Sequence, residues 1–346
     1  MSSCLRGTRL KRETDPLLKE IISFTFCHFP LANSGYFRGE FLLVSTVTIV
    51  IPTFNRSGKL LETLHALALQ DNTNFRVIIS DDGSTDDTAT RIKEIISSLP
   101  FPVDYFFHPN GGASESTNAG VARAEDGLII LLDDDILPAT NTVSRHIQFH
   151  SENPGSILSG SADTDPQRTV TDVQRYKLYM ETEWKKIRPD AKEKISIDFN
   201  NFIITTANMS FPKAVFLEAG GFNTKLRDGY DVDFGFRALM KNIPLFFDGT
   251  VKSVHNDQIS LRYYARRQRA YLDSKRIIFS ANPELRSKFN VDFETKVPGY
   301  KSFFYSLLRL KIAVNFFESK FFATIFPKAF RYRIYGSTIA ALTFHP

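Results

Sequence analysis

Three consecutive aspartates, Asp133, Asp134 and Asp135, are the residues of this sequence best suited to chemistry. Adjacent carboxylates repel one another, so a triplet of this kind is costly unless something positive binds it. Mg²⁺ and Mn²⁺ prefer oxygen ligands and are commonly held by one or two carboxylates together with substrate phosphates. The alternative is a solvated acidic loop. Because the triplet directly follows the apolar run 128–132, we favour a cation site.

Two more acidic motifs could take part in chemistry. In Asp81-Asp82-Gly83-Ser84 the glycine and serine are typical of a turn that begins a helix. A carboxylate in such a turn could also accept a hydrogen bond from a base or a ribose. Asp231 lies at the start of an apparent helix, where the macrodipole favours acidic residues. It could equally act as a general base towards a hydroxyl group, and the residues alone leave both interpretations open.

Strands that alternate with helices must position these motifs. Apolar runs predict strands at 46–51, 76–80, 103–107 and 128–132, with helices at 57–68, 89–99 and 113–124 between them. This alternation predicts βαβ units, a mainly parallel sheet and an α/β fold. The acidic motifs then follow the carboxyl ends of strands, where ligands bind in such sheets. Further along, the pattern predicts a strand at 201–206 and helices at 173–187, 213–219, 232–240 and 262–279.

The regions on either side of this central domain, residues 46–257, have a different character. Residues 1–45 show no sustained periodicity of apolar residues and are predicted to be an irregular extension, whereas 258–346 are predicted to be a basic, aromatic, helical region.

Cys4 and Cys27 are the only cysteines, which excludes a disulfide framework and a cysteine-based zinc site and favours a cytoplasmic setting. No apolar run approaches the roughly 20 residues that span a bilayer, so we expect any membrane contact to be peripheral.

The segment 301–335 interleaves aromatic, aliphatic and basic residues, and Glu318 is its only acid. A pair of amphipathic helices of this composition suits the interface of an anionic membrane. The alternative is that its apolar side packs on the central domain, and the two are compatible. No RNA-binding motif accompanies the Arg, Lys and Phe residues, and the net charge is only +5, so we expect no nucleic-acid partner.

Taken in order, the motifs of residues 46–257 resemble those of family 2 glycosyltransferases. The resemblance rests on Val50–Arg56, Asp81–Asp86, Asn110–Gly112 with Asn118–Gly120, Leu132–Asp135, Thr206–Met209, Gly220–Phe222 and Asp231. It implies the GT-A fold, with a mixed, mainly parallel sheet flanked by helices and here followed by a C-terminal helical segment. It also implies an inverting hexosyltransferase that moves a sugar from a nucleotide-diphosphate donor, expected to be a UDP-sugar, to a glycan or lipid-linked acceptor.

The resemblance assigns roles to individual residues. Asp231 would be the catalytic base, and Mn²⁺ or Mg²⁺ would be held by Asp133, Asp135 and His255. The metal would bridge the diphosphate and offset charge on the departing nucleotide. Asp134, the middle residue of the triplet, could also face away from the site. The nucleotide sugar would be bound by Pro52, Thr53, Asn55, Asp82, Asn110, Asn118, Asp133, Asp134 and Asn208.

Two positions depart from the family pattern. Thr117 stands where the family often has an arginine before the asparagine, so a basic contact to the diphosphate would have to come from elsewhere, such as Arg123 or Arg227. Tyr230 replaces the usual glutamate before the base.

Two alternatives remain: a sugar nucleotidyltransferase, which the segment after the first strand matches poorly, and a sugar-nucleotide-binding protein without transferase activity. A transferase that makes a polysaccharide or another glycan would be expected in the cytoplasm or at the inner face of the plasma membrane.

Overall fold

The computed structural model describes residues 46–187, 192–288 and 299–344. The irregular extension predicted for residues 1–45 lies outside the described residues. Within them, nine strands join in a single sheet with the order β3-β2-β1-β4-β8-β6-β9-β5, and β7 pairs with β9. Helices flank the sheet, so the predicted α/β class with a mixed sheet is confirmed.

The first half of the sheet forms as the apolar runs predict. The strands are β1 (Val47–Thr53), β2 (Arg76–Asp81), β3 (Val103–Phe107) and β4 (Leu128–Leu132), and each pairs in parallel with its neighbours in this half. The connecting helices are α1 (Ser57–Ala68), α2 (Thr88–Ile95) and α3 (Ala113–Arg123). Ile49 and Ile51 pack on α1, while Val50 between them faces α3 across the opposite side of the sheet. Both faces of β1 are therefore buried, which explains its unbroken apolar sequence.

The second half of the sheet is mixed. Its strands are β5 (Ile136–Pro138), β6 (Ile157–Asp163), β7 (Lys194–Ile197), β8 (Asn208–Pro212) and β9 (Leu245–His255). β8 is antiparallel to β4 and β6, β6 is parallel to β9, and β5 and β7 are antiparallel to β9. The helices here are α4 (Thr142–Glu152), α5 (Asp172–Ile187), α6 (Lys213–Ala219) and α7 (Tyr230–Met240).

The predicted strand at 201–206 is wrong, because these residues form irregular backbone between β7 and β8. Phe202 is buried all the same, and Ile203 and Ile204 are partly buried. Phe202 and Ile204 pack on α7 at Gly235, where a Cβ atom would come within 2.8 Å and 2.9 Å of them. Phe202 also lies against Phe236, with 4.5 Å between the ring centroids. The missing side chain at Gly235 thus leaves room on α7 for apolar residues of a loop.

The C-terminal region contains more helices than predicted. They are α8 (Leu261–Ala281), α9 (Pro283–Lys288), α10 (Gly299–Leu308), α11 (Lys311–Phe317), α12 (Lys320–Ile325) and α13 (Lys328–Phe344). The predicted pair of helices at 301–335 is broken into shorter ones, and α13 packs on α5 and α8 through a separate apolar core that includes Tyr176, Leu261 and Tyr335. Within the described ranges, each helix is too short or too polar to cross a bilayer.

Candidate functional site

The acidic motifs meet at the carboxyl-end edge of the parallel strands. Thr53 at the end of β1 is paired with Asp81 at the end of β2, and the triplet at 133–135 follows β4 directly. The mixed half of the sheet brings in two more predicted residues. Asn208 is opposite Leu132, and His255 is opposite Ile136. The sheet register therefore gathers segments that are more than 200 residues apart in the chain.

Asp134 anchors the triplet to the protein interior. Its carboxylate accepts hydrogen bonds from Thr53 Oγ1 at 2.8 Å and from Arg56 Nη1 at 3.0 Å, and its carbonyl accepts one from Thr63 Oγ1 at 2.8 Å. Burial raises the pKa of Asp134 to about 6, against the opposing effect of Arg56. Asp134 was predicted to bind the nucleotide sugar or, as the alternative, to face away. Its side chain is 6% exposed and holds the triplet against β1 and α1, which agrees with the alternative that it faces away.

Asp135 lies between two groups that can carry positive charge. Arg56 Nη1 is 3.0 Å from its Oδ2 atom, and His255 Nε2 is 3.3 Å from its Oδ1 atom. Burial would raise the pKa of Asp135, but His255, Arg56 and Arg267 together hold it well below its ordinary value. Asp135 is therefore a carboxylate at neutral pH. Its Oδ1 atom is buried and accepts no hydrogen bond within the described part of the chain.

That unsatisfied oxygen is what a divalent cation would use. Two ligands about 2.1 Å from one Mg²⁺ at right angles lie roughly 3 Å apart, close to the 3.3 Å between Asp135 Oδ1 and His255 Nε2. The carboxylate fits this role better than the imidazole, because His255 Nδ1 faces Lys177 Nζ at 3.5 Å, where a coordinating histidine usually has an acceptor. No cluster of three or more His, Cys, Asp or Glu side chains suited to a metal occurs in the described ranges. A cation here would take its other ligands from phosphate and water.

Asp133 and Asp231 are close enough for the charge of Asp133 to raise the pKa of Asp231. Asp133 is half-buried, and burial together with Asp135 raises its pKa. Asp231 is also half-buried and lies in the first turn of α7, which starts after Gly229 in the left-handed conformation (φ 67°). Burial, and then the charge of Asp228, raise the pKa of Asp231 to about 7, with a smaller contribution from Asp133. A carboxyl with a pKa near 7 is well placed to accept a proton at physiological pH.

Arg267, on α8, is the basic residue that sequence reasoning missed. Its Nε atom is 3.5 Å from Asp228 Oδ2, its Nη2 donates to the Tyr271 hydroxyl at 3.1 Å, and its side chain is 34% exposed. Its charge lowers the pKa of Asp133, Asp135 and Asp231. The basic character of the helix was visible in the sequence, but not which of its arginines turns inward.

Of the two basic residues suggested by the sequence, Arg123 lies away from the site, because its Nε pairs with Asp104 at 2.6 Å near the start of β3, at the opposite end of the strands. Arg227 is exposed, next to Asp228 in the chain, and its contact with the diphosphate stays a prediction. Tyr230, which replaces the family glutamate, packs against Phe222 with 5.1 Å between the ring centroids. Burial and the nearby charges of Asp133 and Asp231 raise the pKa of Tyr230, so it is a neutral phenol.

Other predicted donor-binding residues shape the rim of the site. Asp82 accepts hydrogen bonds from Gly111 N at 2.7 Å, Gly112 N at 2.9 Å and the Asn110 side chain at 3.0 Å, so Asp82 and Asn110 hold the loop after β3 against the end of β2. Asn55 has φ 54°, and its Oδ1 atom accepts from Thr85 N at 2.7 Å. Pro52 is half-buried at the end of β1.

Two asparagines that were predicted to bind the donor form hydrogen bonds to backbone groups of distant segments. Asn118 donates to Phe222 O at 2.8 Å and accepts from Phe222 N at 2.9 Å, which ties α3 to the loop before α7. Asn208 is fully buried; it donates to Ser161 O and Val251 O at 3.0 Å each, and its Oδ1 is 2.8 Å from His146 Nε2. Asn208 is enclosed by these contacts, which corrects its expected role, whereas Asn118 is partly exposed and its contact with the donor stays a prediction.

Comparison with known proteins bears on the fold and the family of this chain. A solved mannosyltransferase from Pyrobaculum calidifontis, in complex with GDP-Man and Mn²⁺, matches 86% of this chain and 85% of its own with a TM-score of 0.59 and 15% identity. The fold is accordingly that of the GT-A glycosyltransferases. The sequence profile described as "Glycosyl transferase family 2" matches residues 48–219, and the chain belongs to this family.

Curated relatives support the assignment over the same region. The validoxylamine A glucosyltransferase of Streptomyces hygroscopicus subsp. jinggangensis is 26% identical over 226 residues, which is 58% of this chain and 53% of that protein. An uncharacterized glycosyltransferase of Haemophilus influenzae is 27% identical over 197 residues, covering 56% of this chain and 62% of its own. The chain spans less than two thirds of the length of these relatives, and a Rickettsia bellii relative is covered over only 18%.

Proposed function

We propose that this protein transfers a sugar from a nucleoside-diphosphate donor, a UDP-sugar, to a hydroxyl of a glycan or lipid-linked acceptor, with inversion at the anomeric carbon. The observation that carries the proposal is the half-buried Asp231, whose raised pKa of about 7 suits a general base, next to the acidic edge formed by Asp133 and Asp135. A solvated acidic loop would not explain why Asp135 is buried and why Asp133 and Asp231 are half-buried beside it.

Asp231 would act on the acceptor. At neutral pH about half of its population is the carboxylate, which accepts the proton of the attacking hydroxyl. The hydroxyl oxygen forms a bond to the anomeric carbon while the bond from that carbon to the phosphate oxygen breaks. The nucleoside diphosphate leaves with the electron pair, and Asp231 later releases its proton to solvent. Tyr230 stays neutral beside this step, because its pKa is raised above the ordinary value.

Arg267 would bind the diphosphate. Its guanidinium faces the acidic edge and is one-third exposed, and its contact with Asp228 at 3.5 Å is long enough to be exchanged for a phosphate oxygen. An arginine binds phosphate in a bidentate manner, which also fixes the orientation of the leaving group. This role replaces the one expected of Arg123. Thr53, Pro52 and the loop held by Asp82 would line the nucleotide pocket.

A divalent cation, Mn²⁺ or Mg²⁺, fits the unsatisfied Oδ1 atom of Asp135, with Asp133 and His255 as its further neighbours. When bound, it would offset the negative charge that develops on the leaving diphosphate. Arg56 pairs with the other oxygen of Asp135 at 3.0 Å and leaves Oδ1 for the cation. Asp134 would support the site through Thr53 and Arg56 rather than touch the donor.

The assay that tests the function is release of the nucleoside diphosphate from a panel of nucleotide sugars with glycan and lipid-linked acceptors. Asp231→Asn should bind the donor as the wild type does and lose transfer, whereas the surface control Asp126→Asn should keep both. Donor binding without transfer by the wild type, across the panel, would favour the silent binding protein. Formation of a nucleotide sugar from a sugar phosphate and a nucleoside triphosphate would favour the nucleotidyltransferase.

A glycan or lipid-linked acceptor would be met at the cytoplasmic side of a membrane, and we therefore propose a peripheral location there. The support for it is the basic, aromatic surface of the helices from residue 299 to residue 344.

A further inference from the structure

The C-terminal helices expose an unusual amount of apolar surface. Sixteen large hydrophobic side chains are exposed in the described residues, and nine of them lie within the stretch 303–330. Among these, Ile312 is 79% exposed, Phe303 68%, Phe321 62% and Ile325 55%. Single exposed apolar side chains need no explanation, but a concentration of this kind indicates an interaction surface.

Part of this surface is one continuous aromatic cluster. Phe322 is buried at its centre, and the rings of Phe316 and Phe326 lie 5.4 Å and 4.9 Å from it. Phe321 lies 6.3 Å from Phe316, and Phe330 lies 5.3 Å from Phe326. Phe316, Phe321 and Phe330 are each more than 40% exposed. We refer to these five phenylalanines as the phenylalanine face.

The charged residues in the chain segment around the phenylalanine face are mainly basic. Lys311, Lys320 and Lys328 are exposed at the first residues of α11, α12 and α13, and Lys328 Nζ lies over the ring of Tyr332 at 5.2 Å. Glu318 is the only acidic residue from 302 to 346, and its carboxylate accepts a hydrogen bond from Leu261 N at the start of α8. The one negative charge of the segment is therefore used to cap a neighbouring helix.

Among the described residues, packing accounts only for the inner side of the phenylalanine face: Phe322 is buried 6.0 Å from Tyr335, whereas Phe316, Phe321 and Phe330 stay exposed. α13 is held to the rest of the chain by other residues: the Tyr335 hydroxyl donates to Asp172 at 2.9 Å, and Arg269 Nε donates to Thr343 O at 3.0 Å. Tyr335 and Ile339 are fully buried in the core that α13 shares with α5 and α8. The helices are thus fixed in place while their outward apolar residues remain in water.

We propose that the phenylalanine face binds the surface of an anionic lipid membrane. The aromatic rings, with Ile325, would enter the boundary between headgroups and acyl chains, and Lys311, Lys320 and Lys328 would contact lipid phosphates. A protein partner fits less well, because lysine is depleted in protein–protein interfaces but abundant next to apolar residues at membrane surfaces. The binding is independent of sugar transfer, so it can be tested even if the proposed function fails.

The test is co-flotation of the full chain with vesicles of 30% POPG in POPC, compared with vesicles of POPC alone. We expect binding to the anionic vesicles and little binding to POPC. Lys311→Glu/Lys320→Glu should weaken binding at least 25-fold, since one basic residue near such a surface contributes roughly fivefold. Lys93→Glu/Lys252→Glu changes the net charge equally on the surface of the central domain and should leave binding close to that of the wild type.

The apolar contribution is tested with Phe321→Ser/Ile325→Ser. Both side chains are exposed, so the melting temperature should not change, while vesicle binding should fall at least tenfold. The matched control is Leu217→Ser, which removes a side chain 61% exposed on α6 and should bind vesicles normally. Absence of wild-type binding to the anionic vesicles would overturn the proposal. Self-association in sedimentation velocity that is lost in Phe321→Ser/Ile325→Ser, without vesicle binding, would assign the face to a second copy instead.

Discussion

Replacing Asp231 with asparagine should stabilise the protein and abolish transfer at the same time. The pKa of this carboxyl is about 7 in the folded chain, against an ordinary value of 3.8. Above pH 7 the folded state must therefore carry a charge that it disfavours, and the difference in pKa corresponds to about 4 kcal/mol of unfolding free energy. Since the side chain is only half-buried and its neighbours can relax, we expect 2 to 4 kcal/mol, as an order of magnitude.

The sign of this effect depends on pH. Between pH 4 and pH 7 the folded state binds more protons at Asp231 than the unfolded state, so the wild type loses stability as the pH rises through this window. The asparagine cannot ionise. The gain from Asp231→Asn should therefore be small at pH 4.5 and reach its full value near pH 8.

The assay is urea denaturation of wild type and Asp231→Asn at pH 4.5 and pH 8, with the exposed Asp126→Asn as control. The rate of sugar transfer by the wild type should depend on pH through the ionisation of Asp231. With a pKa of about 7, kcat/KM should fall roughly tenfold from pH 8 to pH 6 and about tenfold again by pH 5. A variant that is less stable than the wild type at pH 8, or that still transfers sugar, would refute the reasoning.

Three further predictions concern other parts of the site and the sheet. Arg267→Gln should weaken binding of the nucleoside diphosphate roughly 10- to 100-fold, as loss of charge-assisted hydrogen bonds does, while Arg123→Gln should not; equal affinities in a calorimetric titration would contradict the diphosphate role. His255→Ala should raise the Mn²⁺ concentration needed for donor binding roughly 10- to 100-fold, and an unchanged requirement would remove this residue from the cation site. Burial lowers the pKa of His146 to about 4, so the wild type should lose up to about 3 kcal/mol of stability as the pH falls from 6.5 to 4, and His146→Gln should lose less; parallel stability curves would show that His146 is not the group responsible.

Much of the first half of the sheet could be predicted from the sequence because its signals are local. The unbroken apolar runs of β1 and β4 reflect burial on both faces, and the acidic residues after them fall at the carboxyl edge where ligands bind in parallel sheets. Beyond Leu132 the sheet becomes mixed, and the apolar loop at 201–206 was mistaken for a strand because burial alone does not distinguish the two.

Side-chain direction in the site could not be predicted in the same way. Asp134 turns inward because Thr53, Arg56 and Thr63 donate hydrogen bonds to it. Three identical residues in a row give no indication of which one turns inward. Arg267 comes to the acidic edge through the packing of α8, more than 130 residues along the chain from the triplet. These contacts depend on tertiary structure, which motif order does not encode.

The most direct measurement of the central claim is a thermal-shift titration of nucleotide sugars with and without Mn²⁺ on the wild type, Asp135→Ala and Asp231→Asn. A ligand that binds the folded state at 100 times its Kd adds about 2.7 kcal/mol of stability, which the melting temperature reports. We predict that a UDP-sugar stabilises the wild type and Asp231→Asn only with Mn²⁺ present, and that Asp135→Ala shows no such shift. An undiminished shift in Asp135→Ala, or no shift of the wild type by any nucleotide sugar, would contradict the assignment of this edge as the donor site.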